Sequence, residues 1–223
     1  MTEPDAFARH YGALVDRRAE TDPVSAVGGL WDELGALQID FLRSRGLRPD
    51  HTLLDYGCGC LRGGLHFIRY LDAGNYAGVD VSAAILDAGR GFLAEAGLED
   101  KEPTVQRVDD LSFGWFGDRT FDFVFAQSVF THLPTDAVRT VIANVPRVLG
   151  PTSEMYATFF EVGANVPFSD ADDADPGDVC FTLAPEEVVT EGAWHGLTVD
   201  VLSTTDYPHP RGQRMLRVRR TTE

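Results

Sequence analysis

Apolar residues recur with two periods along this chain. Near the start, Leu30, Leu34, Leu37 and Phe41 fall at steps of three and four, which predicts an amphipathic helix. Gly46 and Pro49 end that helix, and residues 1–50 as a whole read as helical. From residue 51 short apolar runs alternate with helical stripes. HTLLDY, NYAGVD, PTVQRV and FDFVFAQ read as four strands, the last buried on both faces by its composition. Helices are expected over 62–71, with Leu65, Ile68 and Leu71 on one side, and from Ser82, as a cap, to Leu93. A third helix opens at Thr135 and runs toward Leu149, with Pro146 as an irregularity. SEMYATFFEV is a fifth strand and APEEVVTEGAW a further helix.

Strand and helix alternating in crossings of about thirty residues predict an α/β fold: a doubly wound, mostly parallel, seven-stranded sheet. The ending differs. TVDVLSTTDY and QRMLRVRR are separated only by PHPRG, too short for a parallel crossover, so the last strand is expected to be antiparallel. The organisation predicted is a single domain over 1–223, with 1–50 as a helical cover and 51–220 as a Rossmann-like core. GANVPFSDADDADPGDVC holds five aspartates between residues 170 and 178 and has neither period. It reads as a solvated loop or a substrate lid, and no glutamate closes it as a calcium loop.

The 223 residues carry 19 Lys and Arg against 35 Asp and Glu, a net charge of −16. Such a surface repels phosphate backbones and anionic lipid, which disfavours nucleic acid and membrane partners. Three cysteines make neither a disulfide framework nor a zinc set, no metal site is expected, and no signal core or membrane span stands out. The expected location is the cytoplasm.

The chemistry concentrates in LLDYGCGCLRGG, residues 53–64, with four glycines within eight residues. A strand, a glycine turn and a helix N-terminus present backbone N–H groups and permit close approach by a polar ligand. As a dinucleotide fingerprint the turn has Gly57 and Gly59 but Arg62 where the third glycine belongs, and no G-K-[ST] follows for a phosphate loop. As D-x-G-x-G it is intact: Asp55, Gly57 and Gly59. The second strand then ends in GVDVS, with Asp80 placed to accept hydrogen bonds from two vicinal ribose hydroxyls. The third ends in RVDDL and the fourth in AQSVFTHL, so four strands bring polar groups to their carboxyl ends, where open α/β sheets bind ligands.

On DYGCGC, GVDVS, VDDLSF, FDFVFAQSVFTHL and the antiparallel last strand, residues 50–220 resemble the class I S-adenosylmethionine-dependent methyltransferases. Cys60 departs from relatives with a third glycine there. The resemblance implies that S-adenosylmethionine is the cofactor. Gly57 and Gly59, with Cys58 between them, would admit its methionine part, and Asp55 would sit near the ammonium. Asp80, followed by Val81, would hold the ribose; Asp109 or Asp110 would meet the adenine amino group, and Leu111 would pack on the ring. Gln127, followed by Ser128, would offer its backbone carbonyl to the ammonium. Arg62 is a candidate partner for the methionine carboxylate.

Methyl transfer to a hydroxyl or amine needs a proton acceptor. His132, just past the fourth strand, and Glu161, at the end of the fifth, are the catalytic candidates, with His10 and Tyr11 more remote ones. Trp31, Trp115 and Trp194 read as packing residues. The function expected is methylation of a small-molecule acceptor, oxygen favoured. The alternatives are a non-catalytic cofactor-binding relative and a nicotinamide-dependent oxidoreductase.

Overall fold

The computed structural model describes residues 3–163 and 180–222, so the aspartate cluster of 170–178 lies outside the described residues. The strands form a mixed α/β sheet, parallel except where the C-terminal part enters, flanked by helices. The chain divides into two compact units, His10–Val108 and Met1–Arg9 with Asp109–Glu223.

In the first unit, α2 (Pro23–Ala26) and α3 (Trp31–Ser44) follow the helix α1 (Glu3–Ala19). Strands β1 (Leu53–Tyr56), β2 (Tyr76–Asp80) and β3 (Thr104–Arg107) are parallel in the order β3-β2-β1, with α4 (Gly64–Tyr70) and α5 (Ala83–Glu95) as crossovers. All four residues of β1 are buried, which is what an apolar run covered on both faces requires. Ser82 caps α5 by accepting from the Ile85 N–H at 3.1 Å. The predicted α3 stripe shifts by one position. Leu30 stands before the helix in a left-handed conformation and is exposed, whereas Gln38 is buried. Gly63 explains this: a Cβ there would lie 1.9 Å from Gln38 Oε1, so only glycine lets α4 start against that amide. On α4 the buried face is Phe67 and Ile68, continued by Leu71 just past the helix, with Leu65 half-buried.

In the second unit, β4 (Phe121–Ala126) leads through α6 (Thr135–Asn144) to β5 (Leu149–Glu161), parallel to it. Pro146 falls in a short 3-10 turn that ends α6 early. A two-residue strand, β6 (Thr182–Leu183), absent from the pattern reading, adds to the end of β5. After α7 (Pro185–Trp194) come β7 (Leu197–Val201) and β8 (Arg214–Arg220). β8 runs antiparallel between β5 and β7, with Thr158 opposite Met215. The core here is aromatic: Phe121, Phe125, Phe130 and Phe159 are essentially fully buried, each stabilising by about 1.5–3 kcal/mol. Trp194 departs from its expected packing role; it is 74% exposed at the end of α7. Trp31 and Trp115 do pack, against Phe92 and Phe113.

Candidate active site

The glycine turn of the first unit is built on β1 and β2. Gly57 and Gly59 have φ of 77° and 55°, a region in which a side chain is strained. The turn spends its own donors. Gly57 and Cys58 N–H groups both donate to Val79 O, at 2.8 and 3.0 Å, and the Gly59 N–H donates to Asp80 Oδ2 at 3.0 Å. The N–H groups of these three residues are thus employed within the turn, and what these positions offer is bare surface. Over Gly59 that surface is met by Val27, whose Cγ1 lies 2.7 Å from where a Cβ would stand. Cys60 fits the place of a third glycine by turning its thiol to Pro23 O, 3.3 Å away, and burial pushes its pKa up to about 12.

Asp80 is the hinge of the arrangement. Its Oδ2 accepts from Gly59 and its Oδ1 from the Ser82 N–H at 3.0 Å, so the glycine turn and the entry to α5 share one carboxylate. Burial raises its pKa above the usual carboxylate value, against the pull of those N–H groups. The Val81 N–H also draws on this carboxylate, which stands at the end of β2 as an acceptor for a ligand hydroxyl. Beside it, Val81 O accepts from Arg107 Nε at 3.0 Å and packs against Gly12 of α1. Asp16 of the same helix accepts from Ser82 Oγ at 2.5 Å and the Ala84 N–H at 3.0 Å, so the N-terminal cover is bonded to the end of β2.

Asp55 lies deeper. It is 4% exposed and accepts from Tyr76 Oη at 2.8 Å. Its pKa is raised to about 7, by desolvation first and by the charge of Asp80, against the pull of the Tyr76 hydrogen bond and of Arg62. Cys58 is buried beside the same phenol. Arg62 is buried too, and its Nη1 donates to Val27 O and Gly29 O, both at 2.8 Å. Its structural employment is to hold the loop before α3 against the glycine turn.

In the second unit, Asp109 is exposed and its carbonyl accepts from Arg9 at 3.2 Å. Asp110 Oδ1 accepts from the Ser112 N–H at 2.8 Å and Trp115 Nε1 at 2.9 Å, and the buried Leu111 gives its N–H to Asp5 at 3.2 Å. Past β4, Ser128 has φ of 58°, and its N–H donates to Thr158 Oγ1 at 2.6 Å. Gln127 is buried, and its carboxamide contacts Tyr207, His209, Gln213 and Ser128. No sequence pattern pointed to Tyr207, His209 or Gln213. His132 is half-buried at the end of a 3-10 turn, Phe130–His132. Glu161 Oε2 is 2.6 Å from Arg214 Nη1. His10 is exposed. Among the described residues no cluster of His, Cys, Asp and Glu is arranged to hold a metal ion, and no helix is long and apolar enough to cross a membrane.

The glycine turn after β1 and the Asp80 carboxylate bonded to it stand at the ends of two parallel strands, in a sheet whose antiparallel β8 runs between β5 and β7. Residues 53–152 match the family model described as a methyltransferase domain. That match takes in under half of the chain, and the sheet has the fold of solved S-adenosylmethionine-dependent methyltransferases. A probable methyltransferase of Aspergillus luteorubrus, ltbC, is 28% identical over 109 residues, 47% of this chain and 38% of its own length. The match thus spans well under half of that relative. Magnesium protoporphyrin IX methyltransferase (ChlM) from Synechocystis PCC 6803, crystallised with bound SAM, has the same fold. Its TM-score is 0.64 at 17% identity, with 99% of both chains covered. The DhpI–SAH complex gives 0.63 at 18% identity, with 98% of both chains covered.

Proposed function

We propose that this chain transfers a methyl group from S-adenosylmethionine to a small-molecule acceptor, with oxygen as the accepting atom. The observation that carries the reading is Asp80. A carboxylate at the end of β2, fixed by N–H groups of the glycine turn and of the entry to α5, is placed to accept from the ribose hydroxyls. The residues fit the cofactor in chemistry as well: Asp55, a buried acid that accepts from the Tyr76 phenol, is ready to meet a cationic amino group.

Asp80 would hold the ribose, with Val81 and Cys58 shaping the walls and Gly57 and Gly59 lying along the methionine part. Asp109 or Asp110 would meet the adenine amino group, Leu111 the ring, and the main-chain carbonyl of Gln127 the ammonium, next to Ser128. Arg62 belongs outside this set, since Val27 and Gly29 already employ its Nη1. When bound, the cofactor supplies an electrophilic methyl on a positively charged sulfur. The protein's task is to align the acceptor and exclude water. His132 would take the acceptor's proton, because an unperturbed imidazole titrates near 6.5; Glu161 is held in its ion pair with Arg214. The net charge of −16 argues for a metabolite over a nucleic acid. Magnesium protoporphyrin IX methyltransferase, a structural neighbour, is in keeping with a small-molecule acceptor.

The test is calorimetry with S-adenosylhomocysteine, followed by transfer of labelled methyl groups to a panel of hydroxylated and amino-bearing small molecules. Saturable binding and transfer to an oxygen acceptor are expected. No binding at millimolar ligand overturns the cofactor assignment, and transfer confined to protein overturns the acceptor class.

A further inference from the structure

Gln127 is gripped by residues that lie some eighty positions away in sequence. Its Oε1 accepts from Tyr207 Oη at 2.6 Å. Its Nε2 lies 2.9 Å from Ser128 Oγ, 3.1 Å from His209 Nε2 and 3.3 Å from Gln213 Oε1. Gln213 also donates to Ser128 Oγ at 3.0 Å. Tyr207 is 1% exposed, Gln213 5%, and Gln127 and His209 8% each. His209 Nδ1 accepts from the Arg211 N–H at 3.2 Å. A neutral ring has one lone pair, so it serves Arg211 or Gln127 at one time. The Tyr207 ring stacks on His209 at 5.9 Å.

This is a costly way to fill space. Every buried polar atom in such a network has to be satisfied, and an apolar cluster of the same volume would hold the β4 end to the β7–β8 connection as well. What a network adds is orientation. The amide of Gln127 is consumed by its grip, which leaves the residue's main chain as what it presents at the end of β4. The next residue, Ser128, takes a left-handed conformation that a serine keeps only when its surroundings over-determine it.

We infer that Tyr207, His209 and Gln213 are positioning residues: by holding the Gln127 side chain they fix its main-chain carbonyl for the ammonium of the cofactor. This rests on the cofactor reading above. The grip reaches that end because β8 begins opposite the end of β5, where Phe159 pairs with Arg214.

The experiment compares two probes by calorimetry, S-adenosylhomocysteine and 5′-methylthioadenosine, which lacks the amino-acid part. Wild type that binds neither probe refutes the cofactor reading itself. Given wild-type binding, Tyr207→Phe, which deletes only the hydroxyl, should weaken S-adenosylhomocysteine about tenfold, the effect of one unsatisfied buried acceptor. It should leave 5′-methylthioadenosine unchanged, which also shows the variant is folded. Equal weakening of both probes, or no change in either, overturns the proposal. Gln127→Leu should reproduce the selective loss, and Tyr207→Phe added to it should cause no further loss. Additive losses would mean that Tyr207 does not act through Gln127. Gln213→Leu repeats the comparison if Tyr207→Phe fails to fold.

Discussion

Tyr76 Oη and Asp55 Oδ2 meet at 2.8 Å inside the core of the first unit, a phenol stabilising a carboxyl group that water does not reach. The consequence is a stability that depends on pH in an uncommon direction. Asp55 titrates near pH 7 when folded and near 3.8 when unfolded, so between these values the folded chain binds the extra proton. Stability from this group is complete below pH 4 and is lost as pH rises to 7. The full span is on the order of 4 kcal/mol. Asp55→Asn should remove it: thermal melts at pH 5 and pH 8 should show the wild type losing stability relative to the variant. Parallel curves would remove Asp55 as the source.

Asp80 joins the glycine turn to α5, so shortening it acts on both. Asp80→Ala should weaken S-adenosylhomocysteine by about 1–3 kcal/mol, the cost of unpaired polar groups. Unchanged affinity by calorimetry would take the ribose away from this carboxylate. Asp80→Asn, which keeps one acceptor oxygen, should fall between.

Asp16 reaches from α1 to Ser82 and the first turn of α5. Removing a side-chain acceptor at a helix start costs about 1 kcal/mol. Asp16→Ala should therefore lower the unfolding free energy read from denaturant titration by about that amount and speed hydrogen exchange at the Ala84 amide. A protected Ala84 amide in the variant would show that α5 does not need the cover.

Arg62 offers a sharper separation. If its work is to hold Val27 and Gly29, Arg62→Met should expose the 20–30 segment to limited proteolysis and leave S-adenosylhomocysteine affinity within about threefold. Should affinity drop tenfold with proteolysis unchanged, the guanidinium belongs to the ligand.

His132 is tested once an acceptor is in hand. As a proton acceptor, its replacement by alanine should cut turnover about a hundredfold with S-adenosylhomocysteine affinity preserved. A change confined to melting temperature would make it a residue of the turn alone.

Most of the fold could be read along the chain because it is written in local terms. The crossings, the Ser82 cap and the antiparallel β8 follow from period, turn length and capping chemistry. Asp55, Gly57, Gly59 and Asp80 stand out by the D-x-G-x-G spacing and by their place within or next to two strand ends. What escaped depends on partners far away in sequence. Gln38 is buried because Gly63 makes room for its amide, while Leu30 falls just outside the helix whose stripe it seemed to begin. That Val27 meets the bare face of Gly59 likewise has no signal in the glycine pattern. Tyr207, His209 and Gln213 sit in a stretch with no period, and only the pairing of β5 with β8 carries them to Gln127.

Reversing one strand brings the chain's 202–213 loop back to the edge that β4 and β5 already occupy. In an all-parallel arrangement that connection would have to cross the sheet to its other edge. Evolution thereby gains a tuning knob: substitutions around PHPRG can adjust how the tip of β4 is held while the glycine turn and Asp80 stay as they are.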